Sequence, residues 1–263
     1  MADLSDSHEF LAFFDQLADA AAEATLPLFR SRLAVENKLG PGHFDPVTAA
    51  DQAAERLMRD LIAAKYPDHG VLGEEFANVA SESPYLWVLD PIDGTRSFIS
   101  GLPIWGTLIG LKHDGAPRLG MMSQPFIGER FIGDCRQAWY RGPGGERPLN
   151  TRPCARLADA VLMTTSPRIF PKMEGDIYDR IESQVRLPRY GADCYAYAML
   201  AAGHVDLVIE AGLKPYDIVA LIPVIEGAGG MVTTWDGGSA ADGGNIVASG
   251  DPRLHQDVLR RLG

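Results

Sequence analysis

The feature that most constrains this chain is an apolar run that ends in two aspartates. Residues 85–97 read YLWVLDPIDGTRS, so Asp90 and Asp93 follow directly after a stretch with the composition of a buried strand. Gly94 lets the backbone approach a ligand closely, and the residues after it predict a short helix whose free N–H groups suit an anion. Two acids beside an anion site are best explained by a cation between them. We therefore predict metal-assisted phosphoryl chemistry.

The composition limits the class of protein. The chain has 263 residues, of which 46% are hydrophobic and 22% charged, as in an ordinary globular protein with one large domain or two packed lobes. Its net charge of −11 argues against general binding of nucleic acid or anionic membranes. The same charge would repel a phosphorylated substrate unless bound cations reversed the local field.

The cellular compartment is predicted from cysteines and apolar runs. The three cysteines are widely spaced and form no CxxC pair, which disfavours a disulfide scaffold and favours a reducing compartment. The first residues are acidic and lack the basic start of a signal peptide, and no apolar run is long enough to span a bilayer. We expect a cytoplasmic protein without membrane or nucleic-acid partners.

Hydrophobic periodicity predicts the first half of the chain as α+β. It predicts one helix that ends near residue 29 and another over residues 48–66. Residues 35–46 between them have the composition of a loop, either a surface connection or a mobile flap that carries Lys38 and His43. Short apolar runs separated by turn residues then predict an antiparallel meander.

The second half of the chain alternates strand and helix patterns. We predict an N-terminal α+β lobe over residues 1–150 and a C-terminal α/β lobe over residues 151–263, packed as one compact unit. Within the second lobe, a strand over residues 205–210 and a helix over residues 216–228 are expected to flank the candidate site.

Five further acids are candidates for the site, and each also has an ordinary structural interpretation. Asp51 and Asp217 each fall in the first turn of a predicted helix, where an acid complements the helix dipole. Asp193 can be the N-cap of the next helix, and Glu74 belongs to a Glu-Glu pair of the kind usually solvated at a surface. Glu210 ends a predicted strand, at the edge where α/β sheets bind ligands.

Glu74, Asp90, Asp93 and Asp217 belong to three separated motifs: GEE at residues 73–75, DPIDGT at residues 90–95, and Asp217 followed by EGAGG at residues 226–230. Over essentially its whole length the chain resembles the inositol monophosphatase family, the Mg²⁺-dependent, lithium-sensitive phosphatases related to fructose-1,6-bisphosphatase. The resemblance implies a layered αβαβα sandwich and a homodimer.

Carried over residue by residue, the resemblance also implies a ligand set for roughly two to three Mg²⁺ ions. The implied ligands are Glu74, Asp90, the Ile92 carbonyl, Asp93 and Asp217. These are hard oxygen donors, which suit Mg²⁺ and not zinc.

The mechanism that the resemblance implies is direct attack of a metal-activated water on a small phosphomonoester. Thr95 would position this water, Asp51 would orient the threonine hydroxyl, and Glu74 would also accept the proton of the water. The N–H groups of Gly94 and Thr95 would hold phosphate oxygens. Lys214, close to Asp217, either faces the substrate or is a solvated turn residue.

The substrate is predicted from the branch of the family. Residues 90–111 and 189–217 are more similar to the histidinol-phosphate phosphatase branch than to the inositol branch, and Arg96 is one residue that carries this similarity. Asp193 and Glu210 would pair with the ammonium and imidazole groups of histidinol phosphate. Acids also bind hydroxyl groups, so inositol phosphate or a broad range of sugar phosphates stays an alternative. A further alternative is a role as a partner of other proteins, with incidental phosphatase activity.

Overall fold

The structure, a computed structural model, describes residues 7–31, 35–37 and 46–263. Within them the strands form a seven-stranded sheet, a five-stranded sheet and one pair of short strands. The pair consists of β1 (Val35–Asn37) and β2 (Pro46–Thr48), which are antiparallel. The predicted loop over residues 35–46 is therefore wrong at its two ends, which pair as strands. Lys38 and His43 lie outside the described residues.

Two helices cover one face of the larger sheet. In α1 (Ser7–Thr25), apolar residues recur at helical spacing and are buried against α2 (Ala49–Lys65) and the sheet. The helix α1 ends earlier than residue 29, because Pro27 cannot continue it, and the Thr25 hydroxyl donates a hydrogen bond to the Ala21 carbonyl at 2.8 Å.

The seven-stranded sheet is the predicted meander with one extra strand at its edge. Neighbouring strands follow one another in chain order, and all pairs are antiparallel except the first, β3 with β4, which is parallel. The prediction of a purely antiparallel sheet is therefore wrong at this edge. The strands are β3 (Gly70–Gly73), β4 (Tyr85–Asp93), β5 (Gly106–His113), β6 (Ala116–Gln124), β7 (Glu129–Gly133), β8 (Ala138–Gly142) and β9 (Gly145–Pro148), and the short helix α3 (Thr95–Ile99) follows β4.

The five-stranded sheet is mixed. Its order is β11-β10-β12-β14-β13, with the first three strands parallel and β14 antiparallel to both of its neighbours. Its strands are β10 (Val161–Thr164), β11 (Leu187–Tyr190), β12 (Leu207–Leu213), β13 (Met231–Thr234) and β14 (Gly244–Ser249). The helices of this part are α4 (Lys172–Glu182), α5 (Asp193–Ala201), α6 (Pro215–Ile218), α7 (Leu221–Gly227) and α8 (Pro252–Leu262).

Two predictions near the candidate site are wrong. The strand expected to end at Glu210 continues to Leu213, because β12 pairs with β14 across a bulge between these two residues. The single helix expected over residues 216–228 is divided into α6 and α7. Pro223 has no N–H to bond the carbonyl four residues earlier, so the hydrogen bonding of one continuous helix is interrupted there.

Alternation along the strands builds five layers. On β5, Ile109 packs against α1 and α2, whereas its neighbour Leu108 packs against α5 and α7. On β12, Val208 joins the same central cluster, whereas Ile209 packs against α4 and α8. Burying a large aliphatic side chain contributes about 2 kcal/mol, so each face holds its helices strongly. The predicted αβαβα sandwich is confirmed.

A row of glycines crosses the larger sheet beneath α6 and α7. Gly110, Gly120 and Gly133 lie opposite one another on β5, β6 and β7. A Cβ atom on Gly120 would lie 2.0 Å from the Ala220 carbonyl oxygen, and one on Gly133 would lie 2.3 Å from that of Pro223. The segment that connects α6 to α7 therefore rests directly on the backbone of the sheet.

The larger sheet is built from residues 70–148 and the smaller from residues 161–249. The division into two lobes at residue 150 stays a prediction. The three cysteines are free thiols. In the described part of the chain, every helix is too short or too polar to cross a membrane.

Candidate active site

The end of β4 is fixed by hydrogen bonds to its own backbone. Asp90 is buried, and its Oδ1 accepts a hydrogen bond from the Ile92 N–H at 3.1 Å. The Thr95 hydroxyl donates to the Ile92 carbonyl at 3.1 Å, and the pairing with β5 shifts register between Asp90 and Asp93. Both aspartates are therefore held by a rigid turn at the edge of a buried strand.

The start of α5 closes over this turn. The Asp93 carboxylate accepts a hydrogen bond from the Cys194 N–H at 2.6 Å, and the Asp193 carboxylate accepts one from the Ser97 hydroxyl at 3.1 Å. Gly94 has a φ of 85°, and a Cβ atom on it would lie 2.9 Å from the Asp193 carboxylate. Asp193 is the first residue of α5 and not its N-cap, so that interpretation of Asp193 is wrong.

The acids form two groups. We call Asp90, Asp93 and Asp217 the first carboxylate cluster, and Asp51, Glu74 and Glu75 the second carboxylate cluster. Within each cluster, one carboxylate oxygen from each residue lies within 4.8 Å of the others.

In the first cluster, Asp217 is distant in the sequence from Asp90 and Asp93. It lies in α6, and its Oδ2 accepts a hydrogen bond from the Lys214 N–H at 2.6 Å, which closes the first turn of that helix. The backbone of Lys214 thus positions Asp217, and a contact of its ammonium group with substrate stays a prediction.

Next to the second cluster, the buried Glu55, which sequence reasoning missed, binds the chain after β3. Glu55 is fully buried on α2, and its carboxylate accepts hydrogen bonds from the Glu75 N–H at 2.7 Å and from the Arg59 Nε at 2.7 Å. A Cβ atom on Gly73 would lie 2.0 Å from the Glu55 carboxylate, so the chain there passes directly against it. Glu55 sits one turn after Asp51 on the buried face of α2, and a charge among apolar residues on that face was the available signal.

The two clusters act electrostatically on the same point. Burial raises the pKa of Asp90 well above its usual range, and the next causes are four carboxylates from both clusters: Glu74, Asp93, Asp217 and Asp51. Burial followed by the charges of Asp193 and Asp217 raises the pKa of Asp93, and burial raises that of Asp217 to about 6. Converging carboxylates of this kind resist ionisation unless cations neutralise them. All donors of the two clusters are carboxylate oxygens, so they fit a hard divalent cation such as Mg²⁺.

Two cavities adjoin the clusters and share Asp193 and Asp217. The larger, about 390 Å³, is also lined by Glu74, Gly94, Thr95 and Arg96. The smaller, about 170 Å³, is also lined by Asp93, Thr165, Tyr197 and Glu210. The two cavities therefore meet at Asp193 and at Asp217 of the first carboxylate cluster.

Glu210 lies inside β12 at the smaller cavity and not at a strand end. Its Oε1 accepts a hydrogen bond from the Thr165 N–H at 2.6 Å, and burial raises its pKa to about 8. This buried acid faces a space that also contacts the metal-ligating candidates.

Comparison with known proteins decides the family. Residues 6–262 match the inositol monophosphatase family. The chain belongs to this family. It is a phosphatase of the inositol monophosphatase family with acidic clusters that can hold metal ions.

Relatives within the family include several that act on histidinol phosphate by name. The chain is 44% identical to the bifunctional phosphatase IMPL2, chloroplastic, of Arabidopsis thaliana, over 99% of this chain and 77% of that protein. It is 34% identical to a histidinol-phosphatase of Mycobacterium tuberculosis, over 97% and 98% of the two chains. The structure of an inositol monophosphatase from Zymomonas mobilis matches with a TM-score of 0.87 and 39% identity, over 98% of this chain and 99% of that one. The family and the similarity to its histidinol-phosphatase branch are confirmed.

The predicted site residues come together as follows. Asp217 of the first cluster, Glu74 of the second cluster and residues 94–96 line the larger cavity, and Glu210 lines the smaller one. The Ile92 carbonyl accepts a hydrogen bond from the Thr95 hydroxyl. The metal, catalytic and substrate roles of these residues stay predictions, as does the partnership of Thr95 with Asp51.

Proposed function

We propose that this protein is a Mg²⁺-dependent phosphomonoesterase whose substrate is histidinol phosphate. One observation carries the proposal: the cavity that Asp93 and Asp217 of the first carboxylate cluster line is also lined by the buried acid Glu210. Asp193 lies between the two cavities, where it can meet an ammonium group. Phosphate, ammonium and imidazole groups thus each have a chemically matched partner.

The residues proposed to hold the metal are the five that the family pattern indicates. They are Glu74, Asp90, the Ile92 carbonyl, Asp93 and Asp217. Bound Mg²⁺ supplies a water of lowered pKa and neutralises negative charge at the reacting phosphate. We propose roughly two to three ions per site, with sensitivity to Li⁺.

The chain's own residues are proposed to position the reactants. Thr95 has a hydroxyl at the mouth of the larger cavity and would orient the attacking water, with Asp51 as its partner. Glu74, which lines the same cavity, would accept the proton of that water. The N–H groups of Gly94 and Thr95 would bind phosphate oxygens, and Arg96 would add positive charge at the entrance.

The smaller cavity favours a leaving group with few polar atoms. Besides its acids and the polar residues Thr165, Cys194 and Tyr197, it is lined by Ile169, Ala211 and Leu213, whose side chains offer no hydrogen bonds. A ring with several hydroxyl groups would lose hydrogen bonds to water on entering such a space, whereas an imidazole needs only one or two partners. Names of relatives such as histidinol-phosphatase point to the same substrate.

The test compares phosphate release from histidinol phosphate and from myo-inositol 1-phosphate in the presence of Mg²⁺. We expect kcat/KM for histidinol phosphate to exceed that for the inositol ester by at least about tenfold, the effect of one well-placed polar contact. Equal values, or preference for the inositol ester, would contradict the substrate proposal.

The second candidate substrate is an inositol monophosphate, which the structural similarity to the Zymomonas mobilis inositol monophosphatase favours. Preference for myo-inositol 1-phosphate in the same assay would support it. Absence of turnover on any small phosphomonoester would instead favour the role as a protein partner. We further propose a cytoplasmic homodimer, by analogy with the family.

A further inference from the structure

We propose that the Tyr197 hydroxyl, together with the second carboxylate oxygen of Glu210, forms a specificity subsite for the nitrogen-containing ring of the leaving alcohol. The inference rests on the proposed phosphatase function and adds a residue outside the GEE, DPIDGT and EGAGG motifs. Tyr197 would bind substrate without taking part in the bond-breaking step.

The two polar atoms are buried and lack hydrogen-bond partners in the described part of the chain. Tyr197 is 3% exposed and Glu210 is 2% exposed. Neither the Tyr197 hydroxyl nor the Glu210 Oε2 atom has a hydrogen-bond partner among residues 7–31, 35–37 and 46–263. Because buried polar atoms are nearly always hydrogen-bonded, two such atoms at one cavity point to a partner that the described residues do not supply.

The backbone directs both side chains to the same space. Tyr197 lies one helical turn after Asp193 on α5, so the two residues share a face of that helix. Both line the smaller cavity, and Glu210 reaches it from β12. The Glu210 Oε1 atom is already bound to the Thr165 N–H, which fixes the carboxylate and leaves Oε2 for a ligand.

The chemistry of these atoms selects a ring with two different polar edges. A carboxylate oxygen accepts a hydrogen bond, and a phenol hydroxyl can donate or accept one. A neutral imidazole has one N–H and one bare ring nitrogen, so it can donate to Glu210 and accept from Tyr197. The apolar residues Ile169 and Leu213 beside them would pack against its ring carbons.

A purely structural role does not explain the hydroxyl. Phenylalanine would fill the same space on α5 without burying an unpaired polar group, so the hydroxyl is expected to lower the stability of the free protein. Removal of this group should therefore leave the melting temperature unchanged or higher, whereas removal of a structural hydrogen bond should lower it.

The experiment uses Tyr197→Phe in the full-length protein with Mg²⁺ and two substrates. These are histidinol phosphate and 2-aminopropyl phosphate, which keeps the ammonium and phosphate groups and lacks the ring. We expect kcat/KM for histidinol phosphate to fall about tenfold, chiefly through KM, as for loss of one buried hydrogen bond. For 2-aminopropyl phosphate we expect no change.

The matched control is Tyr178→Phe, since Tyr178 is also buried but its hydroxyl donates to Glu182 Oε1 at 2.8 Å. This variant should lose thermal stability and keep the wild-type ratio of the two substrates. An equal loss on both substrates in Tyr197→Phe, or no loss on either, would overturn the subsite.

Failure of the subsite is distinguishable from failure of the proposed function. If the wild-type protein does not prefer histidinol phosphate to 2-aminopropyl phosphate, the ring has no site and the subsite proposal falls, while the comparison with myo-inositol 1-phosphate still decides the proposed function. If the wild-type protein has this preference and Tyr197→Phe keeps it, only the role of Tyr197 is wrong.

Discussion

The two carboxylate clusters have similar composition but are held in different ways. In the first cluster, backbone N–H groups bind the carboxylates of Asp90, Asp93 and Asp217 directly. In the second, Glu55 binds the backbone after β3 and thereby positions Glu75. The first cluster is thus fixed by main chain from three elements, whereas the second depends on an additional side chain.

This difference predicts that the two clusters respond differently to metal removal and to substitution of nearby residues. A site held by main-chain groups has little freedom to adjust, so its geometry should persist with and without metal. A site that is supported by a buried carboxylate should lose metal affinity when that support changes, because residues behind the ligands tune affinity strongly. The variants below test each half of this contrast.

The largest effect is expected for Asp93→Asn in the first cluster. Asparagine can still accept the hydrogen bond from the Cys194 N–H, but it removes one charge from the cluster. Turnover with Mg²⁺ should fall by at least about 10³-fold, as for loss of a central catalytic interaction. The measurement is steady-state phosphate release, with isothermal titration of Mg²⁺ as an independent readout.

The control for this variant is Asp134→Asn, because the Asp134 carboxylate also accepts hydrogen bonds from backbone N–H groups, in a turn outside the clusters. It should keep normal turnover. Near-normal activity of Asp93→Asn would refute its assignment as a metal ligand.

The next effect concerns stability and contrasts Asp93 with a buried aspartate that has a cationic partner. Asp206 is buried, and its two oxygens accept hydrogen bonds from the Arg152 guanidinium at 2.6 Å each. Asp206→Asn breaks this pair and should cost about 2 kcal/mol of unfolding free energy, less than for a fully buried pair because Arg152 is partly exposed.

In metal-free protein, Asp93→Asn should instead raise the unfolding free energy, because it relieves repulsion among unneutralised carboxylates. Urea unfolding in the presence of EDTA measures both variants. Asp159→Asn, in an exposed pair with Arg156, serves as the control with little expected change. Equal destabilisation by Asp93→Asn and Asp206→Asn would mean that the first cluster is an ordinary structural network.

The smallest effect is expected for Glu55→Gln, which tests the support of the second cluster. The amide weakens the hydrogen bonds to the Glu75 N–H and to Arg59, so the chain after β3 should loosen. The Mg²⁺ concentration for half-maximal activity should rise about tenfold, while kcat at saturating Mg²⁺ stays within about twofold.

Its control is Glu129→Gln, where the glutamate binds the hydroxyls of Tyr140 and Tyr195 away from both clusters. That change should leave the Mg²⁺ dependence as in the wild type. A fall in kcat that high Mg²⁺ does not restore would place Glu55 in the chemistry itself and remove the contrast between the clusters.

The sequence predicted those features that local pattern determines. The strand before Asp90, the short helix after it and the helix α8 (Pro252–Leu262) follow from apolar runs and from turn and capping residues. The motif acids were found because each stands beside such a signal. The layered fold came from resemblance, since periodicity alone does not give the order of layers.

The parts that were missed depend on contacts between distant residues. The extension of β12 beyond Glu210 requires pairing with β14, which follows some thirty residues later. The role of Glu55 requires the backbone N–H of Glu75, whose position depends on the packing of α2 against β4. Tyr197 looks like any core aromatic on a helix until its unpartnered hydroxyl and the cavity are visible together.

The glycine row at Gly110, Gly120 and Gly133 has a consequence for the metal site. Because the segment that joins α6 to α7 and the start of α7 rest on bare backbone, the height of Asp217 above the end of β4 is set by main-chain thickness and not by side-chain rotamers. A single methyl group at Gly120 would act as a spacer between helix and sheet. It would increase the distance from Asp217 to Asp90 and Asp93 without changing any of these three residues. The spacing of the three carboxylates in the first cluster thus depends on residues that have no side chain at all.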